Sequence, residues 1–331
     1  MNSFGNKFRI TLFGESHGEC VGVTIDGVPP GAPVSVEEFM PDIIRRKSGR
    51  IGTSARIESD IPTIVSGCLG GCATGTPLTI IFKNENINSA DYEHYLMVPR
   101  PGHADFTSNI KYNYQNDIRG GGMFSGRMTL PIVAAGVVAK KLIGDMKIEA
   151  RLIEVGDRKI ESEEWLLSDN AKLFFEQIRK EGDSVGGIIE CRVDNPSIGM
   201  GNPFFDSIES IISHLVFSIP GIRGIEFGDG FQAARMRGSE HNDPFITSDG
   251  KTSRNGAGGI NGGISNGNPI IFRVAVKPTS SISKSQTTLN FVTEEPEELI
   301  IEGRHDCCFA IRTPVIIEAV TAIALCEIIL T

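Results

Sequence analysis

Three short stretches carry side chains able to move protons. They are Gly14-Glu15-Ser16-His17-Gly18, Pro101-Gly102-His103-Ala104-Asp105 and Arg304-His305-Asp306. Imidazole titrates near neutral pH, so His17 and His103 suit general acid or base work, and Asp306 suits a base. The first stretch also reads G-x-S-x-G, the serine elbow of α/β-hydrolases, which requires a strand before the serine and a helix after it. Val21, Val23 and Ile25 alternate instead, and Asp26 to Gly31 has turn chemistry, so a second strand follows. Only 13 residues precede the motif, too few for the earlier strands of a hydrolase sheet. The stretch therefore reads as a hairpin whose polar tip presents His17, with Ser16 as an orienting neighbour.

Anion-binding groups cluster elsewhere. The segment 45–56 holds Arg45, Arg46, Lys47, Arg50 and Arg56 with no acid among them. Guanidinium groups pair carboxylates and phosphates bidentately, so the cluster suits a multiply anionic ligand. Gly120-Gly121-Gly122 leads through Met123, Phe124, Ser125, Gly126 and Arg127 into a helical pattern, a plausible anion or cofactor cradle. Lys277-Pro278-Thr279-Ser280-Ser281 presents a cation and three hydroxyls at the end of a strand. The glycine-rich run 256–262 misses the G-x-G-x-x-G spacing and precedes a strand, so it is not a dinucleotide fold.

The elements that must position these groups alternate irregularly. A capping-box pattern, Ser35 to Glu38, opens a helix over 36–47 with Pro41 inside it. Further helices are expected over 129–146, 162–181 and 204–217, and from Pro314 to the C-terminus with Thr313 as N-cap. Strands are expected over 60–66, 78–83, 147–155, 186–194, 222–228 and 269–276. The order is mixed α+β without regular strand–helix alternation.

Composition narrows the function. The 331 residues are 40% hydrophobic and 22% charged, enough for one large domain or two ordinary ones. A net charge of −9 argues against general nucleic-acid binding. No apolar run reaches the ~18 residues of a membrane span, so no membrane partner is expected. Seven cysteines lack metal-ligand spacing and read as free thiols of a reduced cytoplasmic protein; no metal site is expected.

In combination these stretches resemble the chorismate synthase family. FRITLFGESHG, DGVPPG, RPGHAD, RGGG, KEGDSVGG, GIEFGDGF, NGGISNG, KPTSSIS and GRHD follow that family's order and approximate spacing, from about residue 4 to the last helix. The resemblance implies a β-α-β sandwich in one domain over 1–331, usually assembled as a homotetramer. It implies conversion of 5-enolpyruvylshikimate 3-phosphate to chorismate and phosphate, with reduced FMN required. Carried over residue by residue, His103 would be the acid near the leaving phosphate. His17 would handle a proton near the flavin N1, and Asp306 would be the base at its N5. Arg45, Arg46, Arg50, Ser16 and Arg127 would bind substrate. Arg46, Arg50, Met123, Phe124, Ser125, Gly262, Lys277, Pro278, Thr279, Ser280, Ser281 and Arg304 would bind the cofactor. Whether NADPH or an external flavin reductase supplies electrons stays open.

The chain departs from the family pattern at three places. Met123-Phe124-Ser125-Gly126-Arg127 stands where Arg-Ser-Ser-Ala-Arg is typical. Arg45-Arg46-Lys47-Ser48-Gly49 replaces Arg-Arg-Arg-Pro-Gly, and Cys307 replaces a proline. These changes leave an FMN-binding paralogue with lost or changed activity as the alternative.

Overall fold

The computed structural model describes residues 2–55, 58–85, 92–303 and 305–331. The opening alternation forms the expected hairpin. Strand Arg9–Gly14 pairs antiparallel with Cys20–Asp26, from Arg9 opposite Asp26 to Gly14 opposite Val21. Among the described residues these strands belong to a five-stranded sheet ordered Ser3–Phe4, Arg9–Gly14, Cys20–Asp26, Leu78–Lys83, Thr63–Ser66. A second five-stranded sheet runs Ile222–Phe227, Ile270–Val276, Gly187–Asp194, Lys147–Val155, Arg158–Lys159. Every pairing in both is antiparallel.

Helices fill the space between the sheets. Thr129–Lys140 packs on the first sheet, Pro314–Leu330 on the second, and the two pack on each other. Both are apolar around nearly their whole circumference, as helices buried on every side must be. Their approach is close: a Cβ at Gly136 would lie 2.3 Å from that of Ala319. One apolar core continues from Phe8 and Phe82 through these helices to Phe272 and Val274.

Two acids on the apolar C-terminal helix are fully committed. Glu318 accepts from Arg45 Nη2 at 2.6 Å, Lys140 Nζ at 3.0 Å and the Ala150 amide at 3.1 Å. Burial pushes its carboxyl up, but Arg45 and Lys140 outweigh this and hold it below the usual range. Glu327 accepts the amides of Asn6 and Phe8 at 2.7 and 2.8 Å and ties down the turn before the first hairpin.

The helix ends differ from expectation for local reasons. The helix expected over 129–146 stops at Lys140, and Gly144 (φ +66°) turns the chain toward the next strand. The 162–181 segment divides into a 3-10 turn, Glu163–Leu167, and a helix, Asp169–Lys180. Ser168 restarts it by accepting the Ala171 amide at 3.2 Å. The 204–217 helix is Ile208–Val216, capped by Ser207 on the Ser210 amide. Thr313 is not the expected side-chain cap. Its hydroxyl donates back to the Phe309 carbonyl at 3.0 Å, extending the turn Phe309–Arg312 into the helix. In the 60–66 stretch the strand covers only Thr63–Ser66, because Asp60 holds a left-handed conformation (φ +50°).

Candidate active site

The hairpin tip rests on the glycine run. The Ser16 amide donates to the Gly122 carbonyl at 3.1 Å. A Cβ at Gly120 would sit 2.5 Å from the His17 ring and 2.9 Å from Ser16 Oγ, and Gly120 has φ +60°, so this contact requires glycine. Ser16 and His17 are both buried. The tip joins strand to strand, so the hydrolase elbow is absent.

His17 leads toward His103 through aromatic rings. Its ring meets Tyr92 edge-on at 5.4 Å, and the Arg100 guanidinium lies over Tyr92 at 5.8 Å and over Tyr95 at 4.6 Å. Arg100 is buried and held bidentately by Asp105, with bonds of 2.7 and 2.8 Å. This clamp fixes the loop that presents His103. His103 Nδ1 lies 3.0 Å from the Pro101 carbonyl, which can only accept, so Nδ1 carries the proton. Nε2 then accepts from Ser281 Oγ at 2.7 Å when the ring is neutral. Burial and the nearby Arg100 push His103 down to about 4.

The lysine and hydroxyl loop docks on the same turn. Lys277 Nζ donates to the Gly102 carbonyl at 2.7 Å and contacts Ser280 Oγ at 2.6 Å. Thr279 Oγ1 is buried without a hydrogen-bond partner, a polar group left for a ligand. Burial, helped by Arg223, lowers the Lys277 amine from its ordinary value.

Asp306 is oriented from two sides. Its Oδ1 accepts the Ser54 amide at 2.7 Å and its Oδ2 accepts from Arg312 Nη1 at 2.9 Å. It lines a cavity of about 740 Å³ with Arg50, Ser281, His305, Lys172 and Arg179. That volume is within the range of small-molecule and cofactor pockets. Burial lowers the His305 imidazole, and the charge of Arg100 adds to this. Cys307 stays a thiol, pushed up to about 11 by burial.

The expected arginines have separate fates. Arg45 turns to Glu318 and Asp42, away from the cavity lining, so its guanidinium is engaged in packing the C-terminal helix. Arg46 is buried, bonded to Thr129 Oγ1 at 2.9 Å and the Gly126 carbonyl at 2.9 Å, with Asp60 at 3.6 Å. Burial, then Arg312, lower it to about 9, and Arg46 does not line the cavity. Arg50 lines the cavity and donates to the Ile311 carbonyl at 3.1 Å. Arg127 is buried among Asp60 at 2.6 Å, Glu58 at 2.9 Å and Asn84 at 2.7 Å, a structural clamp in this state of the chain.

Other expected residues lie apart. Met123, Phe124 and Ser125 do not line the cavity. Phe124 is exposed 6.2 Å from the Tyr112 ring, and Ser125 Oγ caps the Arg127 amide. Pro278 is exposed beside Thr279. Gly262 turns a short hairpin at the Ile270 end of the strand Ile270–Val276, whereas Lys277 follows its other end. Seven residues of strand span about 20 Å, so one chain does not bring Gly262 to the Lys277 loop. Arg56 and Arg304 lie outside the described residues. Sequence reasoning missed the roles of Asp60, Arg100 and Arg312. Arg100 was legible beside His103 in RPGHAD, but its partners Tyr92 and Tyr95 were not.

A histidine on a hydroxyl, a carboxylate held by an arginine, and a cavity where Arg50, Lys172 and Arg179 stand among Glu176 and Asp183 are the parts of an acid–base enzyme for a small molecule. The comparisons specify which one. Residues 8–330 match the chorismate synthase family model. Chorismate synthase of Chitinophaga pinensis is 54% identical over 331 residues, covering 100% of this chain and 97% of that protein. Chorismate synthase of Korarchaeum cryptofilum is 42% identical over 348 residues, with coverages of 98% and 96%. A solved crystal structure of chorismate synthase superposes with a TM-score of 0.76 at 27% identity, covering 99% of this chain and 93% of that one. The chain belongs to the chorismate synthase family, and the sheet–helix–sheet arrangement is that family's fold.

Proposed function

We propose that this chain converts 5-enolpyruvylshikimate 3-phosphate to chorismate and inorganic phosphate, as a lyase of aromatic amino acid biosynthesis, within one catalytic domain spanning residues 1–331. The observation that carries the residue assignment is the convergence of the Pro101–Asp105 turn, the Lys277–Ser281 loop and the Asp306 cavity at Ser281.

The cavity fits reduced FMN. Its volume and the cations Arg50, Lys172 and Arg179, set among Glu176 and Asp183, suit a planar group of nucleotide size, and the partnerless Thr279 hydroxyl sits on the loop that leads to the lining residue Ser281. Lys277, Thr279, Ser280, Ser281 and Arg50 would hold it. When bound it supplies electron density that favours loss of phosphate. The chain's own residues manage charge and protons. Arg46 and Arg50 attract the carboxylates and phosphate. A phosphate beside His103 raises the imidazole's proton affinity, so Nε2 becomes a donor to the leaving oxygen. Asp306, aimed by Arg312 and the Ser54 amide, would serve as the base beside the flavin N5. His17, buried against Gly120, holds the second proton site.

Among the described residues no helix is long and apolar enough to cross a membrane. All seven cysteines are free, which supports a reducing, cytoplasmic setting. Self-assembly into a homotetramer belongs to the same reading. The reductant is NADPH at the flavin site or a separate reductase; oxidised FMN with NADPH under anaerobic conditions distinguishes them.

The test is product formation from 5-enolpyruvylshikimate 3-phosphate under anaerobic conditions. Chorismate and phosphate in equal amounts with reduced FMN, and neither with oxidised FMN alone, is the expected result. FMN binding without either product would favour the paralogue reading instead.

A further inference from the structure

The stretch KEGDSVGG, residues 180–187, has no part in the chemistry above, yet it touches both loops that border the cavity. Gly182 (φ +69°) ends the helix Asp169–Lys180, and the Asp183 amide closes that turn on the Ile178 carbonyl at 3.1 Å. The chain then enters the strand Gly187–Asp194, which pairs with Ile270–Val276 from Gly187 opposite Val276. Residues 182–186 therefore run beside residues 277–281, which leave the neighbouring strand at the same end. The approach is closest at Gly186. A Cβ there would lie 2.4 Å from the Val276 carbonyl oxygen and 3.1 Å from the Pro278 nitrogen, so the two segments meet this closely only with glycine in that place.

Three hydrogen bonds join this segment to its neighbours. Ser184 Oγ donates to the Thr279 carbonyl at 2.7 Å. The Gly182 carbonyl accepts the Lys284 amide at 3.0 Å, and the Val185 amide donates to the Cys307 carbonyl at 2.9 Å, one residue beyond Asp306. Gly182 and Asp183 line the cavity together with Ser281 and Asp306. Of the three bonds, the one made by a side chain falls on Thr279, whose own hydroxyl is buried without a partner. Two residues further on, Ser281 Oγ meets His103 Nε2 at 2.7 Å. A shift of the Thr279 peptide therefore moves both a cofactor-side hydroxyl and the partner of the histidine.

We propose that Ser184 is a positioning residue, acting through the Thr279 carbonyl to set residues 277–281 for the cofactor and for His103. This deepens the reading of that loop as part of the flavin site. The cofactor half rests on that reading, and the His103 half rests on the contacts alone.

The experiment uses the full-length chain. Oxidised FMN is titrated by fluorescence quenching, and the His103 ring is followed by nitrogen NMR without FMN. Ser184→Ala leaves both backbone bonds in place, so its melting temperature is expected to stay near that of wild type. Its dissociation constant for FMN is expected to rise by about tenfold, because the Thr279 carbonyl loses its donor. The His103 Nε2 resonance is expected to move in the same direction as in Ser281→Ala. Ser184→Thr keeps the hydroxyl and is expected to recover most of both effects. Ser184→Cys keeps the size but donates weakly, so it is expected to fall between wild type and alanine, and it carries the same test if the alanine variant does not fold. An unmoved His103 resonance in the folded alanine or cysteine variant would overturn the proposal. Wild-type FMN affinity in that variant would overturn its cofactor half. A wild-type chain that does not bind FMN, with the His103 resonance moved in Ser184→Ala, would overturn the flavin reading and support the link to His103.

Discussion

Arg312 donates to Asp306 Oδ2 at 2.9 Å through Nη1 while its Nε donates to the Arg46 carbonyl at 2.8 Å. One guanidinium thus ties the base of the cavity to the end of the helix that carries the buried arginine. Arg312 is a positioning residue, acting through Asp306.

Removing that tie should cost turnover more than binding. A hydrogen bond to a charged group contributes about 1.5–3 kcal/mol. Arg312→Gln is expected to lower kcat by about 10–100-fold while KM changes little, and Arg312→Lys to recover part of it. Steady-state phosphate release measures this. Equal loss in the lysine and glutamine variants would assign Arg312 to folding alone.

His103 gives the protein a pH dependence of defined sign. Its ordinary value is near 6.5 and its folded value is about 4. Between these the unfolded chain binds a proton that the folded chain does not, so unfolding gains as pH falls. The contribution is fully present above about pH 6.5 and is lost as pH drops toward 4. Denaturant unfolding of wild type and His103→Gln across that window should show a steeper acid loss in the wild type. A steeper loss in the variant would contradict the buried neutral imidazole.

Asp60 sits between two arginines, 2.6 Å from Arg127 and 3.6 Å from Arg46. Breaking a buried pair from one side costs about 3–5 kcal/mol, since the remaining charges lose their partner. Asp60→Asn is expected to lower the melting temperature by several degrees. Arg127→Met should behave similarly if Arg127 is a clamp. An Arg127→Met chain with unchanged melting temperature but weakened substrate binding would return that residue to the ligand.

Much of the architecture is legible in the sequence because strand alternation has a fixed period. The runs near 78–83, 147–155 and 269–276 became strands within a residue or so of their expected limits. Helix ends were less legible, because Ser168 and Gly144 act through single local bonds or angles. The arginine cluster was read as one patch, yet neighbours on a helix point about 100° apart. Arg45 therefore reaches Glu318 while Arg46 reaches Thr129. Partners distant in sequence, such as Arg312 for Asp306 and Ser281 for His103, leave no periodic signal.

The direct measurement is single-turnover phosphate release by Asp306→Asn with reduced FMN bound. The amide keeps the shape and can still meet Arg312 or Ser54, but it cannot act as a base. Removing a general base lowers a rate by about 10²–10⁴-fold. A loss in that range, with substrate and FMN affinity within a few-fold of wild type, is the predicted result. Near wild-type release from a folded, ligand-bound Asp306→Asn would contradict the assignment of Asp306 as the base.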